Sequence, residues 1–155
     1  MRCLVTGGAG FIGSNLVNEL IKDGHEVIIF DNYSTGKKEN VNPKAKFFLV
    51  DVSQSLYFQN DTMKDVMTGV DVVFHTAAMA RVQPSIDNPI DFNNVNVNGT
   101  LNMLKACVDY GVNRFVYSSS SSVYGNVEQL PIKEDYETNP MSPYALQKLI
   151  GEQYC

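Results

Sequence analysis

The chain has 155 residues, 44% of them hydrophobic, enough for one sizeable core but not for two complete domains. Its formal net charge is −5 and its lysines and arginines are scattered, which excludes the basic stripe or aromatic-interleaved patch that follows a nucleic-acid backbone. No apolar stretch approaches the ~20 residues of a membrane span, and the opening Met1-Arg2-Cys3-Leu4-Val5 run reads as a strand rather than a signal peptide, so a cytoplasmic protein is expected.

Leu4-Val5 leads directly into Thr6-Gly7-Gly8-Ala9-Gly10-Phe11-Ile12-Gly13, after which Ile12, Leu16, Val17, Leu20 and Ile21 recur at helical spacing until Gly24. Strand, glycine turn and helix in that order cradle a dinucleotide pyrophosphate: the turn is tight, the backbone must approach phosphate oxygens, and the helix N-terminus faces the negative charge. The glycines read both as Gly8-x-Gly10-x-x-Gly13 and as Gly7-x-x-Gly10-x-x-Gly13, and either match alone is a weak signal. A second strand, Glu26-Val27-Ile28-Ile29-Phe30, adds weight by ending in Asp31, eighteen residues after Gly13, where a ribose-binding carboxylate belongs. A carboxylate there accepts hydrogen bonds from ribose hydroxyls and repels a 2′-phosphate. The cofactor therefore reads as NAD rather than NADP, with Lys37 and Lys38 in a solvated loop.

Residues 32–44 read as a loop. Lys46-Phe47-Phe48-Leu49-Val50 ends in Asp51, and Asp71-Val72-Val73-Phe74-His75 ends in Thr76-Ala77-Ala78; both read as buried strands running into ligand-side turns. A helix is expected from about Ile90 to Tyr110, with Phe92, Val95, Leu101, Leu104 and Val108 on one side and Gly111 as its stop. Asn113-Arg114-Phe115-Val116-Tyr117 reads as a fifth strand. This alternation predicts an α/β fold with a doubly wound parallel sheet, a single nucleotide-binding domain over residues 1–155.

Ser118 to Ser122 follows the fifth strand directly, so it reads as an active-site turn rather than a linker. Ser142-Pro143 starts the last helix, with serine as N-cap and proline in the first turn, and places Tyr144 and Lys148 four apart on one face. A tyrosine hydroxyl titrating near ~10 is a poor base at neutral pH, but a neighbouring ammonium and a cationic nicotinamide both stabilise its phenolate. His75, with no carboxylate partner in sequence, is expected to be structural, and His25 a turn residue. Cys3 and Cys107 fall in apolar patterns that suggest packing, Cys155 carries no motif, and no His/Cys/Asp cluster has metal-ligand spacing.

Taken together, Thr6-Gly-Gly-Ala-Gly-Phe-Ile-Gly13, Asp31-Asn32 with Ser34-Thr35-Gly36, Asp51-Val52, His75-Thr-Ala-Ala78, Asn96-Val-Asn-Gly-Thr100, Ser118 to Gly125 and Ser142-Pro-Tyr-Ala-Leu-Gln-Lys148 resemble the extended short-chain dehydrogenase/reductases. Within them, the chain is similar to the NAD-dependent sugar-nucleotide epimerases. The resemblance implies that Phe11 and Ile12, with Gly7, Gly10 and Gly13, approach the pyrophosphate, Asp31 and Asn32 the adenosine ribose, and Asp51 and Val52 the adenine. It implies that Thr76, Ala77 and Ala78 line the cofactor cleft, that Ser34, Thr35, Gly36, Ser118, Tyr144 and Lys148 add further cofactor contacts, and that Asn96 supports the lysine. Ser120, Tyr144 and Lys148 are the implied catalytic set: Tyr144 removes the proton of a sugar 4-hydroxyl that Ser120 also bonds, while hydride moves between C4 and NAD.

A UDP-sugar substrate, UDP-glucose/galactose or the N-acetylated counterparts, and a homodimer paired through the 90–110 and Tyr-Lys helices are further implications. The rival 4,6-dehydratases carry an Asp-Glu pair after their catalytic threonine, where this chain has Ser121 and Ser122. A one-way NAD-dependent dehydrogenase, or a non-catalytic NAD-binding module, also fits the motifs. Members of the resembled family run about twice this length, so the chain is expected to be the N-terminal part of a longer enzyme without its substrate lobe. Arg81 reads equally as one of the few local side chains able to touch a substrate phosphate or carboxylate and as a solvated charge.

Overall fold

Five of the apolar runs become short parallel strands, and except between the second and third, which a loop joins, the chain returns between them through helices on either face of the sheet. In the computed structural model, which describes residues 1–55 and 61–155, the order is β1 (Arg2–Thr6), α1 (Phe11–Lys22), β2 (Glu26–Asp31), β3 (Lys46–Leu49), α2 (Asp61–Met67), β4 (Val72–His75), α3 (Val82–Asp87), α4 (Pro89–Asn93), α5 (Gly99–Asp109), β5 (Arg114–Tyr117) and α6 (Pro143–Tyr154). A π-helical segment, Asn94–Asn98, joins α4 to α5, and 3₁₀ turns occupy Lys38–Asn40 and Ser121–Tyr124. Loop 32–44 thus carries one short turn, as expected of it.

The strand order is β3-β2-β1-β4-β5, all parallel, so the direction of winding reverses between β1 and β4. Crevices outside the carboxyl ends of strands at such a reversal are where α/β sheets hold ligands. Pairing aligns Phe48, Phe30, Thr6, His75 and Tyr117 in one row across the sheet. The loops that follow the strands therefore leave the sheet at nearly the same level.

Strands β1 to β4 alternate their side chains between two cores, while β5 adds Phe115 to one of them. Cys3, Val5, Val27, Ile29 and Val72 meet Val17 and Leu20 of α1. Full burial of side chains such as these contributes roughly 1.5–3 kcal/mol apiece. Leu4, Ile28, Phe30 and Val73 face Val66 and Met67 of α2 and Met103, Ala106 and Cys107 of α5. Cys3 and Cys107 are buried free thiols, consistent with packing.

The helix expected over 90–110 is present but divided, and its buried face differs from expectation. Of the expected apolar side, Phe92 is buried and Val95 packs against the core, but Leu101 is 42% and Val108 78% exposed, and Asn96, Gly99, Thr100, Met103 and Ala106 turn inward instead. Between the core contacts of Phe92 and Met103, the inward positions Asn96, Gly99 and Thr100 are small or polar because the helix packs close to the sheet there and carries hydrogen bonds inside: a Cβ on Gly99 would lie 2.9 Å from the Val52 side chain. Among the described residues no helix is long and apolar enough to cross a membrane.

Candidate functional site

At the β1–α1 turn the Gly10 N–H donates to the Gly7 carbonyl (3.0 Å), and α1 makes its first bond from Ser14 N–H to the Gly10 carbonyl (3.0 Å). The amides of Phe11, Ile12 and Gly13 precede that bond, at the positive end of the helix dipole. Two glycines are dictated by space: Gly7 has φ +70°, and a Cβ on Gly13 would collide with the Gly7 oxygen. The helix can begin this close to the strand only without side chains there.

A groove opens at this end of the sheet, lined by Gly7, Gly10, Phe11, Ile12 and Gly13 from the turn, Asp31, Asn32, Ser34 and Thr35 after β2, Asp51 and Val52 after β3, and Thr76, Ala77 and Ala78 after β4. All of these residues are ones the sequence marks as cofactor contacts. Phe30, Val50, Met79 and Val95 complete the lining and carry no motif signal; they enter because the sheet and the α4–α5 region bring them to the same wall. Gly36, Asn96, Ser118, Tyr144 and Lys148 lie outside that lining.

Asp31 is buried and already engaged: one carboxylate oxygen accepts the Ala9 N–H (3.0 Å) and the other the Tyr33 N–H (2.7 Å). It ties the glycine turn to the loop after β2, and each oxygen keeps lone-pair capacity for a ribose hydroxyl. Gly36 packs against this arrangement, where a Cβ would lie 2.9 Å from an Asp31 oxygen. Asp51 accepts both the N–H (2.9 Å) and the hydroxyl (2.7 Å) of Ser53. Lys37 pairs with Glu39 at 3.9 Å, and Lys38 lies over the Tyr33 ring at 5.9 Å; both belong to the exposed loop.

His75 sits in the register row, buried. The Ala77 N–H donates to Thr6 Oγ1 (3.2 Å), leaving the Thr6 hydroxyl proton for His75 Nδ1 (2.8 Å). Thr100 donates to the Asn96 carbonyl (2.7 Å) and accepts from His75 Nε2 (3.2 Å). Donor counting assigns the neutral Nε2–H tautomer. Burial, followed by the nearby Lys148 charge, lowers its titration to about 3. The ring is a structural strut between β1 and α5, as its sequence setting suggests.

Helix α6 carries the second half of the site. Ser142 caps it by accepting the Ala145 N–H (3.1 Å), Pro143 opens the first turn, and the Tyr144 N–H donates to Ser85 Oγ of α3 (3.1 Å). Lys148 is 3% exposed; its Nζ donates to the Ser118 carbonyl at the end of β5 (2.8 Å), and burial lowers its titration to about 8. Asn96 does not bond Lys148. Its amide instead clamps the Met79 backbone, accepting the N–H (2.8 Å) and donating to the carbonyl (3.0 Å), and donates to Gln147 beside Lys148 (3.0 Å).

Ser120 caps the 3₁₀ turn, accepting from the N–H (3.2 Å) and hydroxyl (2.8 Å) of Ser122. With two donors aimed at its oxygen, its own proton is left to donate outward. Arg81 holds φ +89°, a left-handed conformation uncommon for a side-chain-bearing residue.

The sequence profile of the NAD dependent epimerase/dehydratase family matches residues 3–155. A UDP-glucose 4-epimerase of Mycolicibacterium smegmatis is 41% identical over 162 aligned positions, spanning 99% of this chain and 50% of that protein. The NAD complex of UDP-glucose 4-epimerase from Thermus thermophilus superposes with a TM-score of 0.93 at 41% identity, over 99% of this chain and 49% of that one. A UDP-N-acetylglucosamine 4-epimerase from Methanobrevibacter ruminantium, in complex with UDP-N-acetylmuramic acid, gives 0.87 at 38% identity over 99% and 48%. The chain spans about half the length of the relatives it matches.

Proposed function

The chain belongs to the NAD-dependent epimerase/dehydratase family, and from that premise we propose that it supplies the cofactor site and the acid–base residues for epimerisation at C4 of a UDP-sugar. The observation that carries this reading is the shared edge: the glycine turn after β1, Asp31 at the end of β2 and the Lys148 anchor on Ser118 after β5 all stand at the carboxyl ends of strands in one parallel sheet.

The residues present fit NAD. Side-chain-free positions at Gly7 and Gly13, and the leading amides of α1, suit the pyrophosphate; Asp31 and Asn32 suit the adenosine ribose, and Asp51 and Val52 the adenine. The chemistry that NAD supplies when bound is reversible hydride acceptance. Tyr144 is the base that takes the proton of the sugar 4-hydroxyl, and Lys148, one helical turn along, is the cation that favours its phenolate form. Ser120 donates a hydrogen bond to the same sugar oxygen and holds it as its charge changes. Tyr144 returns the proton when the configuration at C4 has inverted. The substrates this reading favours are UDP-glucose/galactose and their N-acetylated counterparts, the classes named for the relatives. Exposed Leu101, Val108 and Leu146 on α5 and α6 support pairing of two copies through these helices.

The test is the nucleotide content of the chain purified without added cofactor. Denaturation is expected to release close to one NAD per chain, with the same yield from Tyr144→Phe, since the substitution removes the base and not the groove. A chain that neither carries NAD nor takes it up on incubation would overturn the reading.

A further inference from the structure

Lys148 is a cation buried with three N–H donors, yet the described residues pair it with no carboxylate; the Ser118 carbonyl takes one donor. An aromatic ring also faces the ammonium: Nζ lies 4.9 Å from the centroid of the Tyr117 ring. That ring stacks with His75, its register partner, at 6.0 Å and an interplanar angle of 17°. On α6 the ring lies against Gly151, where a Cβ would collide with the Tyr117 hydroxyl and Cζ. Gly151 is three residues beyond Lys148, so one helix face presents both the ammonium and the space that admits the ring.

We propose that Tyr117 is the positioning residue for Lys148, its π face and the following Ser118 carbonyl gripping the ammonium, with Gly151 as the slot that lets the ring lie against the helix. A ring's negative face attracts a cation most strongly where water is excluded, as it is here. Burial pushes the Tyr117 phenol up to about 12 and keeps His75 neutral, so both rings in the stack are uncharged at pH 7. Tyr144, Glu152 and Cys155 are the other titratable groups near the ring. The arrangement retains the charge of Lys148 on the helix face that also carries Tyr144, four residues earlier. The consequence for catalysis rests on the function proposed above; the grip itself does not.

The experiment follows the lysine's own titration, by the Cε resonance of the chain labelled with ¹³C-lysine, with Lys148 assigned by the signal lost in Lys148→Met. Tyr117→Phe keeps the π face and is expected to leave the titration in place. A ring-trifluorinated phenylalanine at the same position keeps the shape but weakens the face, and is expected to lower the Lys148 midpoint by about half a unit or more relative to Tyr117→Phe. Equal midpoints in these two isosteric variants would show that the ring only fills space and would overturn the proposal. Gly151→Ala, which displaces the ring while retaining Tyr117, is expected to move the midpoint too; an unchanged midpoint there counts equally against it. Loss of NAD from the chain tells against the proposed function and leaves this readout unaffected.

Discussion

Lys148 is 3% exposed, and burial brings its titration down from 10.5 to about 8. The folded value lies below the unfolded one, so the unfolded chain binds more protons between those limits and stability rises with pH across that window. Below pH 8 the folded state carries the full cost. Lys148→Met is therefore expected to stabilise the cofactor-free chain at pH 7, by on the order of 1–2 kcal/mol after the loss of the Ser118 bond. In thermal melts that advantage should shrink as pH rises from 8 towards 10.5; a variant less stable at pH 7 would contradict it. His75 gives the opposite end of the profile. Its folded titration near 3 lies below the ordinary 6.5, so its contribution is complete above 6.5 and is lost as pH falls towards 3. His75→Gln should show a shallower decline in melting temperature below about pH 6 than the parent, even though it starts from a lower value.

Among the elements, α1 shows how closely local sequence and ligand chemistry coincide, since its first turn is both the helix start and the anion site. Gly13→Ala tests that coincidence: the added methyl runs into the Gly7 oxygen, a backbone atom that cannot swing aside. Overpacking of this kind costs about 1–3 kcal/mol. Urea unfolding should register that loss, and the purified variant should retain no NAD. The 90–109 region is the counterexample. Leu101 and Val108, on its expected apolar side, face outward, while Asn96, Gly99 and Thr100 face the sheet. Periodicity of hydrophobicity finds the buried face of a helix only when the core is what that face serves. Here its first half serves hydrogen bonds to Met79, His75 and Gln147, while Phe92, Met103, Ala106 and Cys107 serve the core.

For the molecule as a whole, the pattern of residues was sufficient to determine the α/β class, the five strands, the glycine turn, Asp31 and the capped Tyr-Lys helix, because each rests on local chemistry: strand runs, turn geometry and capping act within a few residues. The same locality made most of the groove lining readable, since every expected loop directly follows its strand. Tertiary structure alone decided which residues meet across the sheet. The row Thr6, His75, Tyr117 is assembled by register between strands far apart in the chain, and no spacing rule anticipates it. It decided, too, that Asn96 grips Met79 and Gln147 rather than Lys148, and that Gly151 makes room for Tyr117. Such contacts depend on the relative placement of distant elements, set by packing of the whole core, whereas the motifs depend on the backbone of one turn.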